Sequence, residues 1–217
     1  MTKLQTEQLI ARLSEGAVPV KPLSPPLYRA ALWLAGFVAV VAFAIWLHGD
    51  FAESAVRFSD LGVRFEFAGA LLTGMAALIA AFFVSLPDRS RSWLMLPVIP
   101  LGFWLLGSTY GCYVHFVEFG PGGWAIGGSW ACLRFILGIS FPASLALYFA
   151  LRRSSPLEPV GPLIVGGLGV AGLAAAALQF FHPFAITFMD LGVHILAVGI
   201  VIATMTLLGR RGLVLRT

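Results

Sequence analysis

The side chains able to do chemistry in this chain are few, and they recur in the same kind of place. Its two cysteines are Cys112 and Cys132, and its four histidines are His48, His115, His182 and His194. Thiolates and imidazoles together suit zinc or copper-like ions. A thiol pair in an oxidising compartment can close a disulfide or be oxidised further. No spacing among them forms a Cys-x-x-Cys pair or another metal signature, so no cofactor is expected beyond a possible metal ion at these residues. Taken singly, each histidine reads as a hydrogen-bonded residue at a membrane interface. No His-Glu-x-x-His, Gly-x-Ser-x-Gly or P-loop is present, and no serine is paired with a base, so the chain reads as a non-enzyme. Paired histidines deep in facing spans, which b-type haem needs, are also missing. Glu66, Arg134 and Asp190 are placed at the ends of apolar runs, leaving none of the mid-depth charges that ion transporters carry.

The elements that must position these residues are membrane helices. Charged residues make up 11% of the chain and apolar ones 59%, against about 25% charged in an ordinary soluble domain. Mean hydropathy is +0.92. Six apolar runs can each span a bilayer: Ala30–Leu47, Phe67–Leu86, Trp93–Cys112, Ala131–Leu151, Gly161–Phe181 and Leu191–Gly209. The fifth is rich in glycine, and small residues let helices approach closely, so it is expected at the centre of the bundle. Charge sets the orientation. With the N-terminus inside, only Arg57, Arg64 and Arg134 fall on the outer side, and the remaining Lys and Arg residues are cytoplasmic. Both termini are then cytoplasmic, and every cysteine and histidine lies towards the outer face. Trp93, Trp124 and Trp130 fall at span ends, where an aromatic belt belongs. The pI near 9.5 reflects these topological charges; no basic patch suited to nucleic acid remains.

The cytoplasmic connections 87–92 and 152–160 are too short to hold a domain. That leaves residues 1–29 as the cytoplasmic segment with room for a macromolecule. Met1–Gly16 is polar and has no apolar core of a cleavable signal peptide. Thr2–Glu15 has high helix propensity, and Leu9, Leu13 and Ala17 repeat at four-residue spacing with Ile10 beside them. So short a helix cannot bury that stripe against itself. A partner protein, the bilayer surface or nothing at all covers it. Pro19, Pro22, Pro25 and Pro26 make Gly16–Arg29 an extended linker close to polyproline II. The organisation is therefore residues 1–29 as a partner-binding helix plus Pro-rich linker, 30–209 as a six-helix transmembrane domain and 210–217 as a cytoplasmic tail.

Leu9-Ile10 with Leu13, then Pro19-Val20-Lys21-Pro22-Leu23, Pro25-Pro26, Arg29 and Trp33-Leu34, resemble the start of the NrsF-type membrane anti-sigma factors of proteobacteria. Arg152-Arg153-Ser154-Ser155-Pro156 and Leu208-Gly209-Arg210-Arg211 resemble the family's loop before span five and its C-terminal end. The resemblance implies a multi-pass bacterial inner-membrane protein. It would sequester an extracytoplasmic-function sigma factor through Leu9, Ile10, Leu13, Pro19, Val20, Pro22 and Leu23, and release it on an outer-side redox or metal signal. It implies a cysteine near the start of span four, here Cys132, and a second one before a proline after span five. His182 stands there instead, before Pro183, and His194 matches a later family histidine. The sensor candidates are thus Cys112, Cys132, His115, His182 and His194. Expected partners are the sigma factor and membrane lipids, with no direct nucleic-acid contact. The alternative is a small multi-span transporter or channel subunit, which would need no soluble partner.

Overall fold

The computed structural model describes residues 3–15, 22–49, 51–120, 126–154, 158, 160–181 and 188–214. Among these, all regular structure is helical. The order is α1 (Lys3–Glu15), α2 (Pro26–His48), α3 (Phe51–Arg57), α4 (Leu61–Val84), a 3-10 turn (Arg91–Met95), α5 (Val98–Phe119), α6 (Ile126–Arg152), α7 (Val160–Leu178) and α8 (Phe188–Val214). Six of them, α2 and α4 to α8, are long and apolar enough to cross a membrane, matching the six runs in the sequence. Spans alternate in direction, so the bundle has a near end, where α2 begins, and a far end, where α4, α6 and α8 begin.

The glycine-rich fifth span is central, as its composition suggests. In α7, 78% of the apolar stretch is buried, against 11% in α2. The cause is direct backbone contact with α4. A Cβ on Gly169 would lie 2.9 Å from the Leu78 nitrogen, and one on Gly172 would lie 3.1 Å from the Ala70 carbonyl oxygen and the Gly74 Cα. Only glycine allows that approach. On its other side α7 meets α8, where Gly167 faces the Ile202 Cα. α5 joins through Gly69 of α4, which sits against the Trp104 backbone.

α2 is peripheral. Its first half packs through Ala30, Trp33, Leu34 and Phe37 onto a core of Leu78, Phe82, Leu147, Leu151 and Met205. Its second half presents Val40, Phe43 and Trp46 outward. At the near end Arg29 Nη1 donates to Ser154 Oγ at 2.8 Å, and Nη2 donates to the Ala150 carbonyl.

Several boundaries differ from the sequence reading; besides the α5 and α6 ends, three bear on the fold. Pro26–Arg29 is the first turn of α2, not extended linker; proline is tolerated at the first helical position because its missing donor would have been unsatisfied there. α8 continues through Arg210 and Arg211 to Val214. The connection before span two holds α3, and α4 begins at Leu61, six residues before Phe67. Asp60 caps it, accepting from the Gly62 N–H at 2.6 Å.

Candidate functional site

Two regions hold the candidate residues, at opposite ends of the bundle. At the near end, α1 forms as its propensity suggests. Its described side chains from Gln5 to Glu15 are exposed, and Leu9, Ile10 and Leu13 show 46%, 60% and 67% of their surface. The stripe is thus exposed at Leu9, Ile10 and Leu13; Ala17 lies outside the described residues. Pro22 and Leu23 are exposed in extended chain ahead of α2. Pro19 and Val20 lie outside the described residues.

At the far end, His194 lies in the early turns of α8 as expected, whereas Cys112, Cys132 and His115 stand further inside helices than the sequence reading put them. Because α5 runs on to Phe119 and α6 starts at Ile126, Cys112 and Cys132 stand inside helices and are 1% and 0% exposed. No disulfide joins them. Cys132 packs with Ile136, Ala174, Leu178 and Ala197. Reactive cysteines sit in partly exposed, electropositive surroundings, so direct attack on either thiol requires the bundle to open. His115 is half-buried on α5, and His194 is buried on α8. His182 lies outside the described residues. Among the described residues no group of three or more His, Cys, Asp or Glu is placed to hold a metal ion.

The far end does hold a polar centre that the sequence reading missed, of which it had placed only Glu66 and Asp190, at span ends. Glu66, Ser108, Gln179 and Asp190 are each at least nine-tenths buried. They come from α4, α5, the turn after α7 and the first turn of α8. Ser108 Oγ donates to Glu66 Oε1 at 3.3 Å, and the Gln179 side chain also hydrogen-bonds Glu66. Arg57 Nη2, from α3, donates to Gln179 Oε1 at 3.2 Å. Burial lowers the pKa of the Arg57 guanidinium, while Glu53 and Glu66 act to raise it. Asp190 lies within electrostatic range of Glu66 and of both thiols. Phe58, Phe67 and Phe180 pack edge-to-face and tilted around the turn that carries Gln179, with ring centroids 5.3 to 5.8 Å apart.

Beside this network is a cavity of about 420 Å³, lined by Arg57, Glu66, Ser108, Tyr110, His115 and Gln179 among others. The arrangement is two buried carboxyl groups, Glu66 hydrogen-bonded by neutral side chains and Asp190 near it, with Arg57 behind them. Buried polar groups of this kind persist only when hydrogen-bonded, and in a membrane span ionisable ones mark functional positions by default. The sequence clue was the cap at Asp60: starting the helix there, instead of at the apolar run, puts Glu66 inside it.

A family model described as NrsF, negative regulator of sigma F, matches residues 13–214. The match begins at Leu13, so Leu9 and Ile10 precede it. No curated protein and no solved structure matches the chain.

Proposed function

The chain belongs to the NrsF family of negative regulators of sigma F, and we propose that it is a membrane anti-sigma factor that captures an extracytoplasmic-function sigma factor through α1 and the linker. The observation that carries this reading is the exposed stripe Leu9, Ile10 and Leu13 on a helix tethered by prolines to the first apolar span. Such a stripe suits a helix laid in an apolar groove, with folding coupled to binding. Pro19, Val20, Pro22 and Leu23 extend the contact.

Arg29, Arg89, Arg91, Arg152 and Arg153 all belong to the near end, whereas Arg57, Arg64 and Arg134 belong to the far end. The positive-inside rule therefore supports a cytoplasmic near end and an outer far end, in a bacterial inner membrane. The outer end is the input. A redox or metal signal acting around Cys112, Cys132, His115, His182 and His194 favours a second packing of the bundle, in which α1 is presented differently. Only a ligand or modification that distinguishes the two packings can shift them. A 100-fold loss of sigma affinity needs about 2.7 kcal/mol of such bias. The burial of both thiols supports a signal that acts by opening the far end, not by titrating a surface cysteine.

A second reading has one observation in its favour: the buried Glu66 beside a far-end cavity is a feature a small transporter also carries. Deleting Met1–Leu13 separates the two. An anti-sigma factor loses sigma capture, measured by co-purification from membranes, whereas a transporter keeps uptake of its substrate. Retention of the sigma factor by the deleted chain would overturn the assignment to α1.

A further inference from the structure

The proposed function needs a physical link between the far end and the linker, and the structure offers one through Arg29. Among the described residues, the polar ties from α2 to the rest of the bundle all run through this side chain. Arg29 sits in the first turn of α2, where the helix's own dipole disfavours a cation. Its guanidinium reaches instead to the C-terminal end of α6. There Ala150 has one of the carbonyls that a helix leaves unbonded in its last turn, and Nη2 donates to it. Nη1 donates to Ser154 Oγ at 2.8 Å, and Ser154 Oγ also accepts from Ser85 Oγ, just past α4, at 3.0 Å. The guanidinium lies over the Phe82 ring at 5.2 Å from its centroid. One planar fork thus ties the ends of α2, α4 and α6, with charge-assisted bonds and an orientation that an ammonium cannot copy.

α6 is suited to carry a displacement to that fork. At its far-end half it packs Cys132 and Ile136 against α7 and α8, and at its near-end half it packs Leu147 and Leu151 into the core that holds α2. Between the halves is Pro142, which has no N–H for the Gly138 carbonyl and so leaves a gap in the helix ladder. The Ser140 and Ser144 hydroxyls flanking it are buried with no hydrogen-bond partner. The middle of α6 is therefore the place where its two halves can change angle. On the other side of the fork, the Arg29 N–H bonds the Pro25 carbonyl at 3.2 Å, one turn from the linker that bears α1.

We propose that Arg29 is a latch, a positioning residue that passes the placement of α6 to the linker and so sets how α1 meets its partner. This rests on the anti-sigma reading. Repacking of α6 around Cys132 withdraws Ala150 and Ser154 from the guanidinium, frees the start of α2 and weakens capture.

The test is a double-mutant cycle on the full-length chain in lipid nanodiscs, with affinity for the sigma factor that co-purifies with the wild type as readout. Cys132→Leu overpacks the far-end half of α6; Cys132→Ala replaces it if that protein does not fold. Each of Cys132→Leu and Arg29→Ala weakens binding by about tenfold, and the double variant is no weaker than either alone. Arg29→Lys, which keeps the charge and loses the fork, restores binding in part. A purely structural Arg29 lowers the yield of folded protein but leaves the effect of Cys132→Leu intact. Independent, multiplying effects, or unchanged binding in Arg29→Ala, would overturn the latch alone. Absence of a sigma factor from the wild-type preparation would overturn the functional reading and the latch with it.

Discussion

α7 and α2 are both apolar spans of ordinary length, yet they are held in opposite ways. α7 is locked on two sides by backbone contact through Gly167, Gly169 and Gly172. α2 is seated by the first half of one face and by one arginine, while Val40, Phe43 and Trp46 face outward. The difference separates a span fixed through its backbone from one seated by side chains. A span whose neighbours touch its backbone cannot shift without breaking the core, because packed interiors do not deform continuously. A span held at one end can change tilt for the loss of a few side-chain contacts. The proposed partner-binding segment precedes the least buried of the six spans, where the proposed function needs the least bias to change its presentation.

Substitutions of graded severity test that contrast. The largest effect is expected in α7. In Gly169→Ala the new methyl meets the Leu78 backbone nitrogen at 2.9 Å, which no rotamer change relieves, so the α4–α7 pair separates. A loss on the order of 3 kcal/mol is expected, read as a large drop in thermal stability in detergent. Next is Leu13→Asp, which places a charge in the apolar stripe of α1. It weakens sigma binding by about 2 kcal/mol, roughly thirtyfold, with membrane insertion unchanged. Unaltered binding would detach the function from α1.

A third change addresses the polar centre that holds α4, α5 and α7 together. Glu66→Ala leaves the Ser108 hydroxyl and the Gln179 amide buried without their acceptor, which destabilises by about 1–3 kcal/mol. Glu66→Gln keeps an acceptor and loses less. Equal melting temperatures for the two variants would show that hydrogen bonding at this position contributes nothing. The smallest effect belongs to α2. A Cβ on Gly36 would have no neighbouring atom within 4 Å, so Gly36→Ala meets nothing and gains helix propensity, about 1 kcal/mol at most. The same chemical change is thus disruptive in α7 and neutral to stabilising in α2; equal losses at Gly36 and Gly169 would remove the distinction between them.

Much of this contrast was written in the sequence. Apolar run length gave the six spans, and the glycines of residues 161–172 put α7 at the centre, because small side chains let neighbouring backbones come close. The α1 stripe was legible from four-residue spacing at Leu9 and Leu13. The far-end polar centre was not. Asp190 is a span-end residue as read, in the first turn of α8, but its burial has no sequence signal; Glu66 looks like a span-end charge because apolar composition begins only at Phe67. The Asp60 cap starts α4 six residues earlier, and that shift turns Glu66 into a buried residue. Cys112 looked terminal for the matching reason: α5 continues past it to Phe119, ending at Gly120 with φ 64°, a positive-φ conformation that glycine adopts without steric cost. The Arg29 contact with Ala150 and Ser154 joins positions more than 120 residues apart, and no local pattern carries such a pairing.

The central claim is that α1 captures a sigma factor while the bundle stays in the membrane. The most direct measurement is affinity purification of the full-length protein from host membranes, beside a chain lacking Met1–Leu13, with the bound proteins identified by mass spectrometry. The account predicts a sigma factor in stoichiometric amount with the full-length chain and its loss with the truncated one, at equal membrane yield. A sigma factor retained by both chains, or found with neither, would contradict it.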